Sequence, residues 1–155
     1  REVDTSSIAS IERTLPQAVE PILSRGTQHV LVTCGRMGAV LCSGQQGIGA
    51  APANSETFAF ADEAFTVVRR RWEEKGRRFL HYAVPPLTDV ESVTGAGDSL
   101  VAGMAWAYGL KGVSLEDAVL YGLAAARLCL AALDSVSPLL APDAITPRPG
   151  QMSRL

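Results

Sequence analysis

Ser92-Val93-Thr94-Gly95-Ala96-Gly97-Asp98-Ser99-Leu100-Val101-Ala102-Gly103 is the stretch on which the fold and function of this chain turn. It begins as a glycine turn and continues as a compact run of Leu, Val, Ala, Met and Trp that reaches Tyr108, with Gly109 and Gly112 to end it. A glycine turn entering a helix exposes several backbone N–H groups at the positive end of the helix dipole, which makes an anion site. Gly95, Ala96 and Gly97 carry no bulk that would keep a phosphate from those amides. Asp98 follows directly, placed to accept the proton of a hydroxyl attacking that phosphate. The plainer reading is a strand-to-helix turn with a favourable acid in the first helical turn, and a bare glycine turn on its own favours it.

Outward from this stretch the pattern is one of mixed strands and helices. Upstream, Ile8, Ile11, Leu15, Val19 and Ile22 recur at helical spacing, and Pro16 and Pro21 predict a kinked or two-part helix over 8–23. Arg25-Gly26 closes it, and the β-rich run His29–Thr33 follows. Gly35 and Gly38 bracket a tight turn before a second strand over 39–42. Residues 44–62, rich in Gly, Gln, Ala and Ser, are predicted to be a mobile insertion. The basic block Arg69 to Arg78 reads as a solvated loop or edge, and Phe79 to Val84 as a strand leaving the sheet before Pro85-Pro86.

Downstream, Ser114 is an N-cap with Asp117 three residues on, and the helix it opens reaches about Leu133. It packs with the helix after Asp98 behind the glycine turn. Pro142, Pro147 and Pro149 make 143–155 a flexible tail. Segregated strand and helix patterns predict an α/β fold, part of a three-layer α/β/α sandwich with a largely parallel sheet.

Composition narrows the function. Of 155 residues 47% are hydrophobic, 19% charged and 6% aromatic, which describes a globular domain rather than a disordered or coiled-coil chain. A net charge of −2 supplies no basic surface for nucleic acid, so none is expected as a partner. The longest hydrophobic region, 115–133, is broken by Glu116, Asp117 and Arg127 and is no membrane span. Cys34, Cys42 and Cys129 lack metal-ligand spacing and read as buried free thiols in a reducing compartment; the expected location is the cytoplasm, with a mitochondrial one left open. His29 and His81 sit in strand-like contexts with no carboxylate or cysteine beside them that makes a metal or triad case, and read as structural. Neither a Walker A motif nor a dinucleotide fingerprint is present.

The quoted stretch resembles the C-terminal signature of PfkB, or ribokinase-like, sugar and nucleoside kinases. Val30-Leu31-Val32-Thr33-Cys34-Gly35-Arg36-Met37-Gly38-Ala39-Val40-Leu41 resembles the same family's strand, glycine turn and strand on the nucleotide side, in the family's order. The resemblance implies an ATP-dependent kinase with Mg2+ on the phosphates, Asp98 as catalytic base, and the Gly95, Ala96 and Gly97 amides as the anion hole. It implies that Thr33, Gly35 and Gly38 lie along the ATP phosphates and ribose, that Thr94 holds the turn, and that Ala124 and Ala125 let the adenine approach. Ser92 and Val93 replace the first two residues of the common Asp-Thr-Thr-Gly-Ala-Gly-Asp, which leaves a monovalent cation open. Leu123 stands where many members carry Asn, and Asp134-Ser135-Val136-Ser137-Pro138 replaces the usual Gly-Ala ending. These departures resemble the pseudouridine kinase branch.

The resemblance runs from about Ser6 to Pro142, so residues 1–142 read as the C-terminal portion of such a kinase domain. In the family the N-terminal portion carries most acceptor recognition. The expected substrate is accordingly a nucleoside or sugar, with pseudouridine as the favoured case and a ribokinase-like sugar as the alternative. The competing expectation is a truncated, non-catalytic fragment that binds nucleotide or a partner. An incomplete sheet exposes an edge and an apolar face, so homo-oligomerisation or association with a chain supplying the missing half is expected.

Overall fold

Two apolar five-residue runs form the first strands, β1 (His29–Thr33) and β2 (Ala39–Ser43), joined through a 3-10 turn over Gly35–Met37. The computed structural model describes residues 3–44, 55–88, 90–134 and 136–149. Two compact units divide the chain: Arg1–Glu56 with Val68–Val84, and Thr57–Val67 with Pro85–Leu155.

In the first unit, helix α1 (Ile8–Leu23) is capped by the Ser7 hydroxyl, which accepts from the Ser10 N–H at 3.1 Å. The two prolines do not divide it: α1 is one continuous helix. Each proline forfeits a backbone donor. The apolar stripe Ile11, Leu15, Val19 and Leu23 compensates, being buried in one cluster with Cys34, Val40, Cys42 and Phe79. Burying such side chains stabilises by roughly 1.5–3 kcal/mol each. Gly26, at φ 97°, ends the helical turn ahead of β1.

The basic block is a hairpin rather than a loop. Strands β4 (Thr66–Glu74) and β5 (Arg77–Ala83) are joined by Lys75 and Gly76, at φ 51° and 72°. Positive φ at both central residues is what a tight two-residue hairpin turn requires. In this register Glu73 stands opposite Arg78 and Glu74 opposite Arg77, so acids face bases across the pair. Arg69 is buried, with Nε and Nη2 both 2.8 Å from Glu56 Oε2. Trp72 stacks on Phe79 at 5.0 Å between ring centroids, 13° from parallel.

β5 does not leave the sheet but lies inside it. It pairs with β2 on one side and β4 on the other, giving the order β1-β2-β5-β4 in this unit. β2, at its centre, is buried along its whole length. Every one of these pairings is antiparallel, which corrects the expectation of a largely parallel sheet. The physical reason is connection length: β1–β2 and β4–β5 are joined by short turns, whereas a parallel pair needs a crossover of about a dozen residues or more. The class is α/β, with an open antiparallel sheet and helices, consistent with a partial ribokinase-like fold.

In the second unit, β3 (Glu56–Ala59, whose first residue belongs to the first unit) pairs antiparallel with β6 (Arg148–Pro149), Phe58 opposite Pro149 and Ala59 opposite Arg148. Of the span 44–62 expected to be a mobile insertion, 56–59 is therefore strand and Phe60 is buried against Phe65, with 5.0 Å between centroids. Residues 45–54 lie outside the described residues. Of the expected flexible tail, 143–145 belong to a short helix, α4 (Pro142–Ile145), that buries Ile145, and 148–149 are β6; 150–155 lie outside the described residues.

The body of this unit is a helix pair, α2 (Ala96–Leu110) and α3 (Leu115–Leu130). Ser114 caps α3 as expected, its Oγ accepting from Asp117 N–H at 3.1 Å. The backbones approach at two glycines. A Cβ on Gly103 would lie 2.9 Å from Tyr121 O and 3.0 Å from Ala125 Cβ, and one on Gly122 would lie 2.6 Å from Leu100 O. Tyr121 meets Trp106 edge-on at 6.0 Å, and Lys111 Nζ lies 5.1 Å and 5.5 Å from the Trp106 and Tyr121 rings. Among the described residues no helix is long and apolar enough to cross a membrane.

Candidate functional site

α2 starts differently from α1 and α3. Its N-cap is Gly95, left-handed at φ 83°, with no side-chain cap, whereas serine hydroxyls close the other two starts. The first i→i−4 bond is made by Ser99 N–H to Gly95 O at 2.8 Å, so the amides of Gly97 and Asp98 lie ahead of it at the positive end of the helix. Ala96 N–H makes only a long contact, 3.4 Å, to Val93 O. A Cβ placed on Gly97 would meet nothing within 4 Å. The structure therefore brings Gly95, Ala96, Gly97 and Asp98 together around an open, uncapped helix start, with Asp98 exposed in the first turn.

The approach to this turn is held from α3. Cys129 Sγ donates to Thr94 O at 3.5 Å, and Glu91 N–H to Leu130 O at 2.9 Å. Ser92 Oγ accepts from Thr94 N–H at 3.2 Å. The thiol thus positions the turn that leads into α2, a role for which its sequence context, an aliphatic run, carries no signal.

In the first unit Thr33, Gly35 and Gly38 share one turn. Cys34 N–H bonds Gly38 O at 2.8 Å, and Gly38 N–H bonds Gly35 O at 3.0 Å. Thr33 and Gly35 are exposed; Gly38 is buried. Its glycine is required by packing, since at φ 87° any Cβ would collide with Tyr82 O on β5. Beside Gly35 opens a cleft of about 660 Å³ lined by Val3, Asp4, Thr5, Ser6, Cys34 and Arg36. The polar residues Thr5 and Ser6 were not singled out from sequence, since they join Gly35 and Arg36 only through the fold.

Ala124 and Ala125 are 2% and 1% exposed, and Ala125 Cβ faces Gly103 across the helix pair. Their small size serves helix packing. The candidate residues thus fall in two groups, Thr33, Gly35 and Gly38 in one unit and Thr94 to Asp98 with Ala124 and Ala125 in the other.

His81 supports the first group from below. It is 1% exposed on β5, and its Nε2 lies 2.7 Å from Met37 O; a carbonyl only accepts, so Nε2 carries the proton. Nδ1 has no partner. Burial pushes the imidazole below its ordinary 6.5, opposed by the Met37 carbonyl and reinforced by Arg70. The folded state therefore resists a proton that the unfolded chain accepts below about pH 6.5. The His81 contribution to stability is expected to be constant above that pH and to fall as pH drops below it, and His81→Gln to flatten this slope. Urea midpoints at pH 7.5 and 5.5 check it; equal midpoints for the unsubstituted chain would count against it.

The three thiols are all buried, and burial with Cys34 nearby pushes Cys42 up to about 12. Among the described residues no cluster of His, Cys, Asp and Glu could hold a metal ion.

Comparison with known proteins gives this geometry a lineage. Residues 67–141 match the description "pfkB family carbohydrate kinase". This stretch belongs to the PfkB family. It takes in the glycine turn, Asp98, α2 and α3. The chain is also similar to a pseudouridine kinase of Arabidopsis thaliana, 30% identical over 90% of this chain and 39% of that relative. The chain thus spans about two fifths of the length of the curated relative it matches. The PfkB assignment and the pseudouridine kinase likeness agree with the resemblance carried by the two motifs.

Proposed function

We propose that this chain is the nucleotide-binding and base-bearing portion of an ATP-dependent kinase that phosphorylates a nucleoside, with pseudouridine to pseudouridine 5′-phosphate as the favoured reaction. The observation that carries this reading is the uncapped start of α2, where exposed amides and the Asp98 carboxylate share one helical turn. PfkB membership of the stretch and the name of the Arabidopsis relative support the reaction class and the acceptor.

The residues present suit a magnesium-bound triphosphate: Gly97 leaves room, and the helix start offers N–H donors to negative oxygen. Mg-ATP supplies the phosphoryl group. Asp98 accepts the proton as the acceptor oxygen bonds to the γ-phosphorus and the bond to the β-γ bridging oxygen breaks, leaving ADP. The Gly95, Ala96 and Gly97 amides hold the charge that gathers on the transferred oxygens. Thr94 orients the turn, and Thr33, Gly35 and Gly38 are the residues that the family resemblance assigns to a nucleotide. Arg36, on the cleft beside Gly35, adds positive charge.

Calorimetric titration with Mg-ATP tests this reading. Saturable binding is expected, with Gly97→Val at least about tenfold weaker, because a branched side chain stands where the phosphate approaches the amide. Gly97 has open space around it, so the fold tolerates the change, and circular dichroism checks that. A folded chain that ignores Mg-ATP would overturn the reading. The short coverage of the relative favours a second reading, a nucleotide-binding portion without turnover by itself. Positioning the attacking hydroxyl is much of what phosphoryl transfer requires, so binding without turnover is the result expected of this chain alone.

A further inference from the structure

The turn over 34–38 is closed by few bonds of its own. Met37 N–H reaches Cys34 O at 3.0 Å beside the two bonds between Cys34, Gly35 and Gly38, while Thr33, Gly35 and Arg36 stand exposed. Such a turn opens readily unless a rigid neighbour holds it. The Met37 side chain packs against the apolar cluster of α1, and two consecutive residues of β5 do the rest. Tyr82 O leaves no room for a side chain at Gly38, and His81 Nε2 donates to Met37 O at 2.7 Å. Of these ties only the last depends on a titratable group.

The imidazole stands in the sheet between Val40 of β2 and Arg70 of β4, and its Nδ1 has no partner among the described residues. The charged groups that act on it are Arg70, which opposes a second proton, and Glu12 of α1, which favours one. Both are exposed, so solvent screens them and burial decides. A proton on Nδ1 creates a buried N–H with no acceptor, and the ring is relieved by turning toward water, which takes Nε2 away from Met37 O. We infer that His81 is a positioning residue for nucleotide binding: its neutral imidazole holds the Met37 carbonyl and with it the exposed edge of the turn at Gly35, and a second proton releases that edge. The ligand in this inference rests on the kinase reading.

Two substitutions separate the tie from the packing. Gln offers an amide N–H in place of Nε2 and takes no proton, whereas Leu fills the space and donates nothing. In Mg-ATP titrations, the loss of affinity from pH 7.5 to 5.5 is expected to be at least about fivefold larger for the unsubstituted chain than for His81→Gln, since affinity falls with the fraction of turns that are competent. Protonation of the nucleotide is common to both and cancels in this ratio. At pH 7.5 His81→Gln keeps the affinity of the unsubstituted chain within about twofold, and His81→Leu binds at least about tenfold more weakly. Amide hydrogen exchange at Met37 and Gly38 without nucleotide is the second measurement, with exchange at least about tenfold faster in His81→Leu than in His81→Gln. Identical pH profiles for the unsubstituted chain and His81→Gln would overturn the inference, as would equal exchange in the Leu and Gln variants. Should His81→Leu fail to fold by circular dichroism, the comparison of the unsubstituted chain with His81→Gln decides alone, in affinity and in exchange at pH 5.5. A chain that shows the exchange difference but binds Mg-ATP in no form would sink the kinase reading while upholding the tie from His81 to the turn.

Discussion

Replacing Asp98 by Asn is expected to lower phosphoryl transfer by about 10²- to 10⁴-fold while leaving Mg-ATP affinity within about twofold, the range ascribed to a positioned general base. The assay belongs in a polypeptide that joins these residues to an acceptor-binding portion, with pseudouridine and a sugar panel as substrates. Asn keeps the size of the side chain and its place in the first turn of α2 but cannot take a proton. The helix loses a favourable charge at its N-terminus, about 0.3–1 kcal/mol, too little to unfold a domain. A fall in kcat with unchanged nucleotide binding therefore reports chemistry. Undiminished turnover would remove Asp98 from the mechanism and reduce the turn to a structural one.

Gly38→Ala is expected to destabilise the first unit by at least about 3 kcal/mol, adding a strained left-handed backbone to an overpacked contact. Gly38 sits at φ 87° and ψ −128°, and its missing side chain would strike Tyr82 O, a backbone atom in the middle of the sheet that cannot swing away. The turn it closes carries Thr33 and Gly35, so nucleotide binding is expected to fall with stability. Gly35→Ala is the comparison, since that glycine has positive φ but open space around it, and a smaller loss of about 1 kcal/mol is expected. Denaturant midpoints of the two variants check the ordering. Equal losses would mean that β5 yields more readily than a packed strand should.

What could be read from the chain, and what could not, separates by the range of the forces involved. β1 and β2 were legible because five-residue apolar runs flanked by turn residues are local signals, as were the Ser114 cap and the uncapped glycine start at Asp98. Strand direction was not, since apolar runs look alike in parallel and antiparallel sheets. β3 escaped because it is only four residues long and one of its partners, β6, lies far along the chain, behind prolines that suggest no regular structure. The β4–β5 hairpin was masked by its arginines: Lys75-Gly76 is a turn signal, but Glu73 and Glu74 face Arg78 and Arg77 only once the register is known. α1 shows tertiary packing overriding a local rule, with two prolines inside a helix whose apolar stripe is fully seated. At the site, Asp98 and its glycines were visible in one dodecapeptide. The Cys129 and His81 supports were not, because each reaches a backbone carbonyl more than thirty positions away.

The chain holds two tryptophans, and the fold gives one to each unit: Trp72 lies flat on Phe79, and Trp106 sits under the Lys111 ammonium beside Tyr121. These are different optical environments, one a stacked hydrocarbon sandwich and the other a ring polarised by a nearby cation. Each half thus carries its own built-in fluorophore, and single-tryptophan versions would let intrinsic emission follow the melting of one half without interference from the other.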